Sequence, residues 1–160
     1  MTLRIRRTAA AALLVLAATL TGSGTAQAET WQYVVNASTG QCLTVYETGF
    51  VGQDFCESGR QTQLWTRESV DEDPRVYQLR NAAGGCLWAQ DFLGARYASR
   101  GDCNANDEYK RFYLYPNRIA LVREHGRQLM VTREYGGEVV VFGLPSSADD
   151  LRPRWTFHTV

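Results

Sequence analysis

Few residues in this chain have the type and spacing to do chemistry. His125 and His158 are the only histidines, one in the turn REHGR and the other two residues from the C-terminus. Neither sits in a nucleophile motif, and no acidic dyad stands out, so no catalysis is expected of the chain. Cys42, Cys56, Cys86 and Cys103 include no C-x-x-C pair of the kind a zinc site uses, and neither a metal nor a cofactor is expected. What remains is recognition chemistry. Trp88, Phe92 and Tyr97 lie close in sequence, with Arg96 and Arg100 in the same stretch. Aromatic rings and guanidinium groups are what buried interface centres favour, so this stretch is a candidate partner surface.

A repeated frame positions these residues. GQCLTV at 40–45, GGCLWA at 84–89 and GRQLMV at 126–131 keep a Gly and a Leu at one offset, while the residue after the Leu changes: Thr44, Trp88, Met130. A second landmark follows in LWTR (64–67), RFYLY (111–115) and RWTF (154–157), which align Trp65, Phe112 and Trp155. Both markers recur about every 43 residues, which makes the repeat real. The units run at about 31–74, 75–117 and 118–160.

The first 28 residues read as a removable signal peptide. Arg4, Arg6 and Arg7 form a basic start, TAAAALLVLAATL an apolar core, and Ala26-Gln27-Ala28 a cleavage site, so the chain is expected to be secreted after cutting near Ala28. The apolar stretch is short for a membrane span. Residues 29–160 then suit one domain. Lys+Arg and Asp+Glu are balanced at 17 each, and three of the Arg leave with the signal, so nothing favours nucleic acid as a partner. In an oxidising compartment four cysteines read as two disulfides, with three pairings open.

Within each unit, Val, Tyr, Phe, Leu and Trp alternate with polar residues and are broken by turns such as NASTG, NAAGG and REYGG. That pattern predicts an all-β chain with about four short strands per unit, about twelve in all. One such unit cannot bury its own apolar face, so three must close around a threefold axis as a β-trefoil. A β-sandwich is the alternative fold, but it leaves the threefold repeat unexplained. Loops are expected at 46–54, 91–101 and 132–138, and DEDPR at 71–75 reads as a solvated connection.

The motifs resemble those of the ricin-type β-trefoil lectins, whose repeat runs roughly G-x-C-L-D-V, then a second Cys, then Q-x-W. The match covers about residues 31–159, with Gln63-Leu64-Trp65 as the one complete late motif. The resemblance implies the pairs Cys42–Cys56 and Cys86–Cys103. It also implies a sugar site in each unit, made by the Asp after the Leu, an aromatic two residues before the second Cys and an Asn just after it. At those positions unit one carries Thr44, Asp54 and Glu57; unit two Trp88, Gly101 and Asn104; unit three Met130, Phe142 and Pro145. The late Gln survives as Gln63 but is Lys110 and Pro153 in the other units. The frame is kept and the sugar chemistry is lost.

The expected function is therefore a non-catalytic binding module. A protein-binding adaptor or accessory subunit of a secreted assembly, a toxin or an enzyme, is the leading reading. Its candidate surface comprises Trp88, Phe92, Arg96, Tyr97, Asn104, Met130 and Phe142. The alternative is a lectin with a divergent pocket, for instance one rebuilt in unit two from Trp88 and Asn104. A protease inhibitor is a third class, resting on the fold alone.

Overall fold

A computed structural model describes residues 29–124, 126–134, 137–147 and 149–160, with backbone only at 133–134 and 137–139. The signal segment expected at 1–28, and His125, lie outside the described residues.

Among the described residues twelve strands form, four in each unit. Unit one holds β1 (Gln32–Asn36), β2 (Cys42–Val45), β3 (Val51–Asp54) and β4 (Leu64–Ser69). Unit two holds β5 (Val76–Asn81), β6 (Cys86–Phe92), β7 (Ala95–Gly101) and β8 (Phe112–Tyr115). Unit three holds β9 (Arg118–Leu121), β10 (Gln128–Glu134), β11 (Gly137–Gly143) and β12 (Trp155–Thr159).

First and fourth strands build a barrel. β1 pairs with β4 and β12, β4 with β5, β5 with β8, and β8 with β9. Trp155 N donates to Asn117 O at 3.0 Å and closes the ring between β9 and β12. The middle strands form the hairpins β2–β3, β6–β7 and β10–β11, which meet at Phe50↔Ser99 and Tyr97↔Val141. A six-stranded ring with three hairpins is a β-trefoil, not a sandwich.

The repeated frame makes the core. Leu43, Leu87, Leu129, Trp65, Phe112 and Trp155 are all fully buried. Burying a Leu completely contributes roughly 2–3 kcal/mol. Trp65 Nε1 donates to Leu43 O at 2.9 Å and Trp155 Nε1 to Leu129 O at 2.7 Å, so two units tie their late aromatic to their own Leu. Phe112 has no donor and instead stacks on Phe142, with centroids 5.4 Å apart and planes at 10°. The Gly ahead of each Leu has a functionless but strict role: Gly40, Gly84 and Gly126 take φ of 69°, 95° and 106°, which other residues rarely adopt.

Disulfides bridge Cys42–Cys56 and Cys86–Cys103, with Cα atoms 5.1 and 5.0 Å apart. The DEDPR segment is held by ion pairs from Asp71 to Arg111 and from Asp73 to Arg75. One loop expectation needs correction. Residues 91–101 are strand on both sides of a turn at Leu93–Gly94, because alternation continues through Asp91-Phe92 and Ala95-Arg96. Likewise β3 occupies 51–54, and β10 and β11 continue into the 132–138 stretch.

Candidate functional site

Each unit fills the position after its Leu with its own side chains. In unit one Thr44 is fully buried; its Oγ1 donates to Cys42 O at 2.8 Å and accepts from Gln63 Nε2 at 3.0 Å. Gln63 also donates to Phe55 O and accepts from Glu57 N, both at 2.8 Å. The Gln survives here as an internal brace. The Tyr46 ring lies over Gly52, where an added Cβ would stand 2.7 Å from Tyr46 Cε2, and the phenol donates to Gln53 O at 2.7 Å. Burial, and then the nearby Asp54 carboxylate, push the Tyr46 phenol up from its ordinary pKa, so it stays a donor.

In unit two the Lys110 ammonium stands 5.5 Å from the Trp88 ring centroid and pairs with Asp102 and Asp107. Burial pulls the Lys110 pKa down, but its hydrogen bonds to those carboxylates outweigh that and leave it raised. Trp88 lies over Gly101, with Cε3 3.5 Å from where a Cβ would be. Trp88 stands at the position where the resemblance places the sugar-binding Asp, and its ring is engaged by Lys110. Asn104 remains exposed, its Oδ1 accepting from Asn106 N at 3.0 Å.

Unit three corrects the sequence alignment by one residue. Cys42↔Asp54, Cys86↔Gly101 and Gln128↔Gly143 are the matching cross-strand pairs, so Gly143, not Phe142, holds the position two before the second Cys. A one-residue slip moves a side chain to the other face of the sheet. Phe142 is consequently a core residue, 1 % exposed, and Met130 is buried with its Sδ against Gly143. Neither belongs to the surface expected of them.

The aromatic stretch of unit two is divided by the hairpin. Trp88, Phe92 and Tyr97 lie on one face, since Trp88↔Ser99, Gln90↔Tyr97 and Phe92↔Ala95 are opposite pairs; Arg96 and Arg100 lie on the other. Phe92 and Tyr97 meet edge to face at 5.9 Å. Arg96 is committed within the fold: it pairs with Asp91 and with Glu124 and stacks over Tyr109 at 4.8 Å. The tip is unusual, with Leu93 at φ 52° and 82 % exposed beside the half-exposed Phe92.

Arg100 leads elsewhere. It sits opposite Leu87, the position that Phe142 takes opposite Leu129 and Gln53 opposite Leu43. Where Phe142 packs into the core, Arg100 runs its stem past Gly85 and reaches a cleft between units one and two. That cleft holds about 830 Å³ and is lined by Tyr46, Glu47, Thr48, Arg60, Gln61, Thr62 and Val45 beside Arg100. Arg60 is tied to Asp54 and Glu57, each at 3.0 Å. The Arg100 guanidinium and the Glu47 carboxylate have no ionic or hydrogen-bonding partner among the described residues; Arg100 N bonds Gly49 O at 2.7 Å and anchors the backbone. An aromatic wall, a free carboxylate, a free guanidinium and two threonines are thus gathered in one opening. Tyr46, Glu47 and Thr62 were not singled out from sequence, and Arg100 was noted there only beside the aromatic stretch of unit two, not as part of a cleft.

His158 is exposed and shares a 2.8 Å hydrogen bond with Thr156 Oγ1. Among the described residues no group of three His, Cys, Asp or Glu could hold a metal, and no helix is long and apolar enough to cross a membrane.

No protein-family model and no curated protein matches the sequence. Solved structures do match in fold. A lectin of Polyporus squamosus bound to a human-type influenza-binding epitope aligns with TM-score 0.65 at 20% identity, over 82% of this chain and 49% of that one. An endo-β-galactosidase from Clostridium perfringens, releasing GlcNAc[alpha]1-4Gal, aligns with TM-score 0.68 at 18% identity, over 82% of this chain and 33% of that one. The cytolethal distending toxin of Actinobacillus actinomycetemcomitans aligns with TM-score 0.63 at 14% identity, over 81% and 90%. This chain shares its β-trefoil fold with lectins, a glycosidase and a toxin, and identities so low speak for the fold alone.

Proposed function

We propose that this chain is an exported, non-catalytic β-trefoil module that binds carbohydrate in the cleft between units one and two, not at the in-unit positions. One observation carries the reading: the in-unit positions are filled by Thr44–Gln63, Trp88–Lys110 and Met130, while the cleft brings the unpaired Glu47 and Arg100 together beside the Tyr46 ring. Sugars need a charge-assisted acceptor and a flat apolar wall, because water serves lone hydroxyls as well. Glu47 and Tyr46 supply both. The sugar-binding Polyporus lectin among the structural matches supports the class. The two disulfides fit an extracellular protein.

The test is a printed glycan panel probed with the purified chain beside Thr62→Trp, which fills the cleft, and Trp88→Ala, which does not touch it. Glycan binding lost in the first variant and kept in the second supports the reading. No binding, or binding lost only on Trp88→Ala, contradicts it.

A second reading has its own observation. The exposed Phe92 and the left-handed, exposed Leu93 form an apolar tip that packing within the chain does not require. It supports a protein-binding adaptor docking through the β6–β7 hairpin, as an accessory subunit of a secreted assembly. Pull-down from culture medium of the source, with a stoichiometric partner lost on Phe92→Ser, is its test.

A further inference from the structure

The cleft carries charge information beyond its shape. Its lining includes two arginines in different states: Arg60 is neutralised by Asp54 and Glu57, and Arg100 is not. Elsewhere arginines are routinely committed, Arg96 to Asp91 and Glu124, Arg152 to Asp150, Arg80 to Glu68. Among the described residues Arg100 and Arg118 both depart from that pattern in half-buried settings, and of the two Arg100 lines the larger opening, the cleft between units one and two; an uncompensated guanidinium is costly there and a carboxylate is its best-matched partner.

Its placement is also fixed before any ligand arrives. The backbone N of Arg100 is held by Gly49 O at 2.7 Å, and its Cγ and Cδ run so close to Gly85 that a Cβ there would stand 2.8 and 3.1 Å away. Gly85 itself has φ 77°, so this close approach is available only to glycine. From unit two Arg100 thus lines the same cleft as the Tyr46–Thr48 turn of unit one. A planar guanidinium on a stem so placed suits the two oxygens of a carboxylate.

We infer that the ligand of this cleft is an acidic saccharide, a uronic or sialic acid unit whose carboxylate is received by Arg100. The inference rests on the reading of the cleft as a glycan site. The sugar ring then lies along Tyr46, and its hydroxyls face Glu47, Thr48 and Thr62. Glu47 disfavours a ligand charged all round, such as a polyanionic chain crossing the whole opening, and so restricts the site to one carboxylate at the Arg100 end.

Titration calorimetry with methyl galacturonide and sialyllactose, each carrying one carboxylate and each beside a neutral counterpart (methyl galactoside and lactose), tests this, with hexaglutamate as a non-sugar acid. The expected result is binding of an acidic sugar about ten- to a hundredfold tighter than its neutral counterpart, the span of one charge-assisted hydrogen-bonded pair. Arg100→Met, which keeps the stem on Gly85, should erase the preference while leaving the melting temperature in place. Arg100→Lys should retain part of the preference. Equal binding of acidic and neutral sugars, or a preference that survives Arg100→Met, overturns the inference and leaves the glycan reading standing. Hexaglutamate binding as tightly as the acidic sugars also overturns it. If no saccharide binds at all, the glycan reading itself falls and this inference with it.

Discussion

The Lys110 ammonium sits 5.5 Å from the centre of the Trp88 ring, and these two residues occupy the positions after the Leu and before the late aromatic of unit two. In unit one the same two positions are joined by the 3.0 Å bond from Gln63 Nε2 to Thr44 Oγ1. The contact between these positions is kept while its chemistry changes from amide–hydroxyl to cation–ring. A position that makes an internal contact of this kind is part of the packing and not an open site.

Lys110→Ala should therefore cost stability, by about 1–3 kcal/mol, because Asp107 and the Trp88 ring lose their cation and a void opens. Urea unfolding of the purified chain measures it. An unchanged midpoint would mean that the contact is incidental.

Gly143→Ala should destabilise by about 1–3 kcal/mol, since the new Cβ would stand 2.7 Å from Met130 Sδ in a buried place. The double variant with Met130→Ala should lose less than the two single costs together, as residues in contact are not additive. A double-mutant cycle by thermal or urea unfolding reads the coupling.

Trp155→Phe should cost about 1–3 kcal/mol, leaving Leu129 O without its 2.7 Å donor in a fully buried site. Trp65→Phe should behave alike through Leu43 O. Unit two shows the alternative solution, where Phe112 gains the stacked Phe142 ring instead.

Acid stability should depend on Asp150. Hydrogen bonds from Arg152, with further ones from Ser146, hold its carboxyl well below the usual carboxylate range. A folded-state pKa below the unfolded one contributes stability that is present above the unfolded value, about 3.9, and lost as pH falls through the folded one. Asp150→Asn should thus be less stable than the parent at pH near 7, with the gap closing only as pH drops below about 4. Unfolding midpoints compared at neutral and strongly acid pH decide it; a gap independent of pH would assign the loss to packing.

Opening the Cys86–Cys103 bridge, as a double Ala variant, should cost roughly 3 kcal/mol through the entropy of a loop spanning 17 residues. The melting temperature in oxidising buffer, compared with the parent, checks it.

Much of the fold was legible because a trefoil writes its symmetry into the chain. Leu43, Leu87 and Leu129 must meet at one axis, and the left-handed turns before them admit little but glycine. The site was less legible, for three physical reasons. Phe142 and Gly143 exchange roles on a one-residue shift that only strand pairing reveals. The β5–β6 turn is a residue shorter than that of β1–β2, so Asn36 and Asn81, which both donate across a seam, to Arg152 O and Leu64 O, do not align by spacing from the Gly. The cleft joins Tyr46 and Arg100 from different units, and no local pattern reports such a pair.

Ligand-induced amide shifts in a two-dimensional NMR spectrum of the chain, titrated with the best-binding glycan, locate the bound sugar residue by residue. Shifts should cluster at residues 46–48, 60–62 and 100, with the amides of Trp88, Asn104 and Met130 unmoved. Shifts concentrated at Trp88 and Asn104, or at Met130 and Gly143, would place the sugar in a unit's own pocket and contradict it.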